Sequence, residues 1–286
     1  MNNLYEKKIY AVFGNPISHS KSPEIHNFFY KLYNLNQKYI KIHLSKKNFL
    51  KNISFFFKRG GKGANITLPF KEKVFSLCHE ITNRAKIAGS INTLKLFENE
   101  TILGDNTDGI GFLSDLLLKK IVKRKFNILI IGAGGAARGI IYPLLKFGCN
   151  IFITNRTFNK AKILSKEFQN FGNIESITLK NLNQMKFNII VNATSAGIFN
   201  NIPLIPENII RKETICYDMF YKEKNTNFMK FCKNFGSNKV FNGIGMLVNQ
   251  AAHSFFLWNN IFPNVKKTIK FLTKKKIKKN NKSLKY

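Results

Sequence analysis

The stretch that most limits how this chain can fold is FNILIIGAGGAARGIIYPLLKFG, from Phe126 to Gly148. An Ile/Leu run, a glycine cluster and an apolar helical pattern follow one another without a spacer. A strand buried on both faces, a tight turn and a helix packed back on it meet that description, and such a unit belongs to a parallel α/β sheet. Within GAGGAA, residues 132 to 137, Gly132 permits the tight turn. Gly134 lets a pyrophosphate approach backbone N–H groups at the helix N-terminus. Ala137 stands where a third glycine is common, which the fingerprint allows. The reading is a dinucleotide-binding turn, and the bland alternative is a structural βα turn.

The end of the next strand speaks to which dinucleotide. A carboxylate there accepts hydrogen bonds from a free ribose 2′-OH. Here IFIT runs into Asn155-Arg156-Thr157. No carboxylate repels a phosphate, and a guanidinium is available to fork onto one, so NADP is expected rather than NAD. The chain has only six arginines (Arg59, Arg84, Arg124, Arg138, Arg156 and Arg211), which makes this placement informative. An ordinary solvent-facing arginine is the alternative.

Further strand ends, FNIIVNATSAG and TICYDMF, follow at about one βα unit each. Upstream, KIYAVFG, a helix from Ser22 to about Tyr33, KYIKIHL, a helical stretch to Lys58 and GANITL set up a first α/β sheet. A helix is expected after Pro69 with Lys71 at its start, then INTLKLF and TILG, joined by a hairpin turn at Glu98-Asn99. GIGMLVNQAAHSFFLWNN carries apolar residues at helical spacing and is expected to return to the first domain. The expected fold class is therefore α/β with two domains. An N-terminal open α/β substrate domain, 1–107, is completed by C-terminal helices at about 243–275. A Rossmann-like NADP-binding domain covers 108–242, and 276–286 form a basic tail read as a solvated chain end.

At 286 residues the chain exceeds what one core usually holds, in keeping with two domains. The 44% hydrophobic content, with 28 Phe, is globular, and no run of about 18 uncharged apolar residues predicts a membrane span. MNNLYEKKIYAVFG enters a strand without signal-peptide features, so a soluble cytoplasmic protein is expected. Cys78, Cys149, Cys216 and Cys232 form no Cys-x-x-Cys pair, and reduced thiols are expected in place of disulfides. His19 and His26 lack a third ligand nearby in sequence, and no metal is expected.

The formal charge of +32 raises nucleic acid as a partner. The excess is lysine spread along the chain, without clustered arginine or aromatic stacking motifs, so a nucleic-acid-binding protein is the alternative from another class and is disfavoured.

Four stretches of the first domain are polar where connections need only be hydrophilic: SHSKS (18–22), NITLPFK (65–71), SINT (90–93) and GDNTDG (104–109). Each adjoins a strand end or helix start, where open α/β sheets place ligand crevices. The chain has four aspartates, Asp105, Asp108, Asp115 and Asp218, and two fall within GDNTDG. A turn or cap explains one of them. Ser20 or Ser22 also fits as a plain helix cap before Pro23, and Asn92 as a turn residue.

GNPISHSKSPEIHN, GANITLPFKEK, AGSINTL, GDNTDG, GAGGAARG, TNRT, NATSAG, YDMFY and GIGMLVNQAAHSF occur here in one order, from about Tyr10 to Trp258. In those motifs the chain resembles the shikimate dehydrogenases. The resemblance implies NADPH-dependent reduction of 3-dehydroshikimate to shikimate, on the chorismate route to aromatic amino acids, in the cleft between the two domains. It implies Lys71 and Asp108 as the catalytic pair, Ser20 and Ser22 on the substrate carboxylate, and Thr67, Asn92, Tyr221 and Gln250 as further substrate contacts. It also implies a cofactor site of Gly132, Ala133, Gly134, Gly135, Ala136, Asn155, Arg156, Thr157, Phe158, Asn159, Lys160, Met219 and Gly243. A family position that is often acidic is Asn83 here and is left unassigned. A quinate/shikimate dehydrogenase using NAD is the near alternative, against which Asn155-Arg156 argues. The implied partner is a small molecule, with no specific nucleic acid or membrane, and the protein is expected as a monomer or homodimer.

Overall fold

The computed structural model describes residues 7–45, 47–222 and 224–283, of which 198 and 275–283 by backbone alone. The chain divides into two compact α/β units: residues up to Gly111 with those from Val248 on, and Phe112–Leu247.

The first unit contains β1 (Lys8–Gly14), α1 (Ser22–Leu32), β2 (Gln37–His43), α2 (Phe49–Lys58), β3 (Gly61–Ile66), β4 (Glu80–Ile81), α3 (Asn83–Ala88), β5 (Thr93–Leu96) and β6 (Ile102–Asp105). Its sheet has the order β2-β1-β3-β5-β6-β4, with β1 parallel to β2 and β3, and β5 antiparallel to β3 and β6. The β5–β6 hairpin closes at the expected place, where Phe97 N–H bonds Thr101 O at 2.9 Å.

Strand alternation sorts this unit into two faces. Ala11, Phe13, Ala64, Ile66 and Leu94 pack with Phe49, Ile53 and Phe57 of α2 in one apolar core. No side chain caps the start of α2. Burying three large side chains at roughly 1.5–3 kcal/mol each outweighs a missing cap, about 1 kcal/mol. The intervening residues face the other way. Tyr10 and Tyr39 meet Trp258 there, with ring centroids 4.8 and 6.1 Å apart, and Trp258 Nε1 donates to Leu94 O at 2.9 Å. Gly63 has to be glycine at this point, because a Cβ would lie 2.5 Å from Trp258 Nε1.

The same face carries a polar row. Asn65 lies opposite Thr93, and Thr93 opposite Asp105, so β3, β5 and β6 present one buried polar residue each in register. Ser254 and Trp258, in the C-terminal half of the helix Ile244–Asn259, cover this face.

The second unit follows α4 (Asp108–Leu118) with β7 (Asn127–Ile131), α5 (Gly135–Phe147), β8 (Asn150–Thr154), α6 (Phe158–Phe168), β9 (Ile174–Ser176), β10 (Ile189–Asn192), β11 (Ile215–Asp218), α7 (Asn227–Asn234) and β12 (Lys239–Asn242). All its strands are parallel in the order β12-β11-β10-β7-β8-β9. In chain order from β9's edge this is 3-2-1-4-5-6, the doubly wound dinucleotide-binding topology. β10 and β11 are buried along their whole length, which is why they read as unbroken apolar runs.

Helix α8 (Ile244–Asn259) leads back to the first unit, and α9 (Val265–Ser283) follows, stacking Phe271 on Phe28 of α1 at 4.0 Å. The helical backbone of α9 runs through most of the segment expected as a frayed basic tail, and residues 284–286 lie outside the described residues. All four cysteines are free, and three of them are buried.

Candidate active site

Lys71 does not start a helix. Residues 67–78 form successive tight turns, with Phe70 N–H on Thr67 O (3.1 Å) and Lys73 N–H on Phe70 O (2.9 Å), ending in a single 3₁₀ turn at Phe75–Leu77. The Lys71 carbonyl accepts from Ile91 N–H at 2.9 Å instead of from residue 75, which removes the bond a helix needs there. Phe70 and Val74 are buried and anchor the turn in the core, while Lys71 points outward.

Its ammonium meets Asp108 Oδ2 at 2.6 Å, with both side chains still about a quarter exposed. The other carboxylate oxygen accepts from Asn92 Nδ2 at 2.8 Å. Asn92 is itself buried, and its Oδ1 receives Thr107 N–H (2.9 Å) and Thr93 Oγ1 (2.8 Å). Behind it stand Asn65, Thr93, Thr107 and Ser254 of α8. Asn65 Nδ2 donates to Ser254 Oγ and Thr93 Oγ1 at 3.0 Å, and Tyr39 Oη donates to Asn65 Oδ1 at 2.7 Å. Such a buried polar network is stable only when its members are satisfied, and it fixes one orientation of each. Asp108 is thus held from both oxygens.

Ser22 is buried and Ser20 half-buried, with Ser22 N–H on Ser20 Oγ at 3.3 Å. Lys21, not either serine, occupies the cap position of α1, and no side chain caps it. Thr67 packs its methyl over Gly14, where a Cβ would approach to 2.4 Å. Gln250, half-buried on α8, has its backbone against Gly111, where a Cβ would meet Gln250 N at 2.5 Å. Lys71, Asp108, Ser20, Ser22, Thr67, Asn92 and Gln250 therefore all belong to the first unit, and Tyr221 to the second.

Tyr39, Arg84 and Ser254 were not singled out from the sequence, although each is bonded into this polar face. Arg84 had a signal, since it is one of six arginines in the chain.

In the second unit Gly132 sits at φ +110°, which glycine alone adopts without strain, and backbone of Ala193 lies 3.2 Å from where a Cβ would be. Gly134, Gly135 and Ala136 are exposed at the start of α5, and a Cβ on Gly134 would meet nothing within 4 Å. Open space in front of free helix N–H groups is what a pyrophosphate requires, so these residues fit a dinucleotide. At the end of β8, Asn155 Nδ2 donates to Thr157 O at 3.0 Å and pins the turn into α6, while Arg156, Thr157, Asn159 and Lys160 are exposed and Phe158 half-buried. Asn192 and Asp218 end neighbouring strands and support the loops after them. Asn192 Oδ1 receives Thr194 N–H and Oγ1, and Asp218 Oδ1 receives Phe220 N–H at 3.1 Å. Burial raises the Asp218 carboxyl above the usual range against the bonds from Thr226, Phe220 and Asn192. Burial likewise raises the half-buried Tyr221 phenol.

Gly243 is pressed against Met219: a Cβ would lie 2.1 Å from Met219 O. Gly243→Ala is expected to cost about 1–3 kcal/mol, because a backbone atom has to move. Gly134→Ala, with open space around it, is expected to stay within about 0.5 kcal/mol of the parent. Urea unfolding of the two variants side by side checks this, and equal stabilities would refute it.

A Rossmann-ordered sheet with an open glycine turn, and in the other unit a lysine–aspartate pair suited to moving a proton, are the parts of a nicotinamide-dependent oxidoreductase. Three family models match in order: the shikimate dehydrogenase substrate-binding domain over residues 12–94, shikimate/quinate 5-dehydrogenase over 116–213 and the shikimate 5′-dehydrogenase C-terminal domain over 243–270. Among solved structures, the chain is 36% identical to an Ael1 enzyme from Pseudomonas putida, covering 93% of this chain and 98% of that one (TM-score 0.88). It is 33% identical to shikimate dehydrogenase from Aquifex aeolicus, with 92% and 97% covered (TM-score 0.82). It is 28% identical to the Thermus thermophilus shikimate 5-dehydrogenase determined with NADP(H) and shikimate, again with 92% and 97% covered (TM-score 0.83). The chain belongs to the shikimate dehydrogenase family of oxidoreductases. These matches lend no support to a nucleic-acid-binding protein, and among the described residues no helix is long and apolar enough to cross a membrane.

Proposed function

We propose that this protein reduces 3-dehydroshikimate to shikimate with NADPH, reversibly, as a step towards chorismate and the aromatic amino acids. The observation that carries the reading is the Lys71–Asp108 pair, 2.6 Å apart and held by Asn92. The nicotinamide, when bound, supplies the hydride. As hydride reaches a ketone carbon, negative charge grows on the oxygen, which needs a cation and a proton at that moment. The Lys71 ammonium offers both. Asp108 keeps that ammonium oriented and gives the substrate hydroxyl an acceptor.

Ser20 and Ser22 offer hydroxyls to the substrate carboxylate, and Thr67, Asn92, Tyr221 and Gln250 position the ring hydroxyls. On this reading the first unit, completed by α8 and α9, is the substrate-binding domain, and the second is the NADP domain. The turn Gly132–Ala136 takes the pyrophosphate, Asn155–Lys160 the adenosine 2′-phosphate, and Met219 and Gly243 flank the nicotinamide end. Cytoplasmic localisation and a monomer or homodimer complete the proposal.

The test is oxidation of NADPH followed at 3-dehydroshikimate saturation, beside NADH and beside dehydroquinate. Turnover with NADPH and 3-dehydroshikimate well above the other pairs is expected. Preference for dehydroquinate, or for NADH, would replace this reading with the NAD-dependent quinate/shikimate one.

A further inference from the structure

We propose that Arg84 is a positioning residue for the reaction: its guanidinium, forked onto buried Asp105, sets the turn Asp105–Asp108 and thereby holds Asp108 against Lys71. The inference rests on the reading of Lys71 and Asp108 as the catalytic pair.

The turn between β6 and α4 is built by side chains. Its three successive N–H groups each bond a side-chain oxygen: Asn106 N–H to Asp105 Oδ1 (2.7 Å), Thr107 N–H to Asn92 Oδ1 (2.9 Å) and Asp108 N–H to Asn106 Oδ1 (3.0 Å). Asn106 is fixed in turn by two donations from its Nδ2, to Ser90 O and Ser90 Oγ, both 2.9 Å. Sheet and helix ladders are absent from these three bonds, so the direction of Asp108 follows from where Asp105, Asn92 and Asn106 sit. Among those three side chains only Asp105 is charged, and it is fully buried.

A buried carboxylate without a cation is costly, and it relieves that cost by moving or by taking up a proton. Arg84 prevents both. Its Nε donates to Asp105 Oδ1 at 2.7 Å and a terminal nitrogen to Oδ2, the two-point geometry that a lysine ammonium lacks. Thr82 Oγ1 adds a bond to Oδ1 at 2.6 Å, and Thr82 also caps α3 by accepting Ala85 N–H. The short helix α3 thus supplies the fork, while the Ser90 contacts to Asn106 follow directly after its left-handed end at Gly89.

Burial pushes the Asp105 carboxyl upward, but the bonds and charge of Arg84, with Thr82 and Asn106 N–H, outweigh it and hold the group below the usual carboxylate range. The groups facing it are Arg84 and Thr82 beside α3, His253 on α8, and, beyond the turn, Asp108 with Lys71. In the parent His253 is no second cation near neutral pH, because burial first and the Arg84 charge second lower it to about 4 against the pull of Asp105, and in Arg84→Ala burial still opposes its protonation. Removing Arg84 therefore leaves burial dominant, and Asp105 takes up a proton at a higher pH than in the parent. The protonated acid no longer offers the same acceptor to Asn106 N–H, and the turn loosens. Misplacing a catalytic group by about 1 Å costs on the order of 10²-fold in rate.

The experiment uses the full chain with Arg84→Ala and Arg84→Lys beside Lys71→Ala and Asp108→Asn, recording kcat, KM for 3-dehydroshikimate, the pH profile of kcat, and rescue by millimolar guanidinium ion. For Arg84→Ala we expect kcat down about 10- to 100-fold with KM within about threefold. The acid limb of the profile moves to higher pH, and guanidinium restores part of the rate. Arg84→Lys, with charge but no fork, falls between. A folded Arg84→Ala with parental kcat and acid limb, while Lys71→Ala and Asp108→Asn are impaired, overturns the inference. So does a loss of kcat without a shifted limb or rescue, which is the mark of a structural role. If Arg84→Ala fails to fold, Arg84→Lys decides by the same readouts. Parental kcat in both Lys71→Ala and Asp108→Asn refutes the catalytic pair itself, and the positioning role falls with it.

Discussion

Lys71→Ala is expected to lower kcat by about 10²- to 10⁴-fold while KM for the substrate stays within a few-fold. The ammonium is bonded to Asp108 and a quarter exposed, so it is ordered yet reachable from solvent. A ground-state ketone oxygen is a neutral acceptor and gains little from it. The alkoxide formed during hydride transfer gains a charge-assisted bond and then the proton. The interaction is therefore worth far more in the transition state than in the bound ketone, which places the loss in kcat. Removing the lysine also leaves Asp108 with Asn92 as its remaining side-chain partner in the pair's place. Like charge then stands beside the developing alkoxide, so Lys71→Ala should be worse than Asp108→Asn, which keeps the cation. Steady-state kinetics on both variants test this. A parental kcat for Lys71→Ala, or an effect confined to KM, would refute the assignment.

Local patterns carried most of what the sequence revealed. FNILIIGAGGAARG encodes β7, its turn and the start of α5 within one contiguous stretch, so nothing distant is needed to read it. The short strands β4, β9 and β12 lie at sheet edges and have two to four residues, too few for a periodicity to register. The helix expected at Lys71 failed because Ile91 N–H, twenty residues on, takes the carbonyl a helix would have used. Propensity cannot foresee a long-range competitor. The polar stretches 65–71, 90–93 and 104–109 do converge on one face, since Asn65, Thr93 and Asp105 share a cross-strand row. Their partners Ser254 and Tyr39 come from residues far along the chain or otherwise ordinary, and only the packing of α8 and β2 reveals them. Arg84 was within reach of the scarcity argument that singled out Arg156.

Arg156→Ala is expected to lower kcat/KM for NADPH by about 10- to 100-fold and to leave NADH within a few-fold. That range corresponds to roughly 1.4–2.7 kcal/mol, the size of hydrogen bonds to a charged group. Arg156 is exposed, so a phosphate bound there keeps part of its hydration and the effect should stay below that of a dry ion pair. The surroundings favour an anion: no acidic residue lies in the first turn of α6, Lys160 is exposed in that turn, and the helix N-terminus adds a partial positive charge. Because Lys160 remains after the substitution, some preference for NADPH should survive in Arg156→Ala and disappear in the double variant with Lys160→Ala. Raising the salt concentration should narrow the NADPH advantage of the parent more than that of the double variant, since exposed charges are screened. An equal loss with both nucleotides in Arg156→Ala would mean that the arginine supports the turn Asn155–Thr157 instead of meeting a 2′-phosphate, and it would return the cofactor question to NAD.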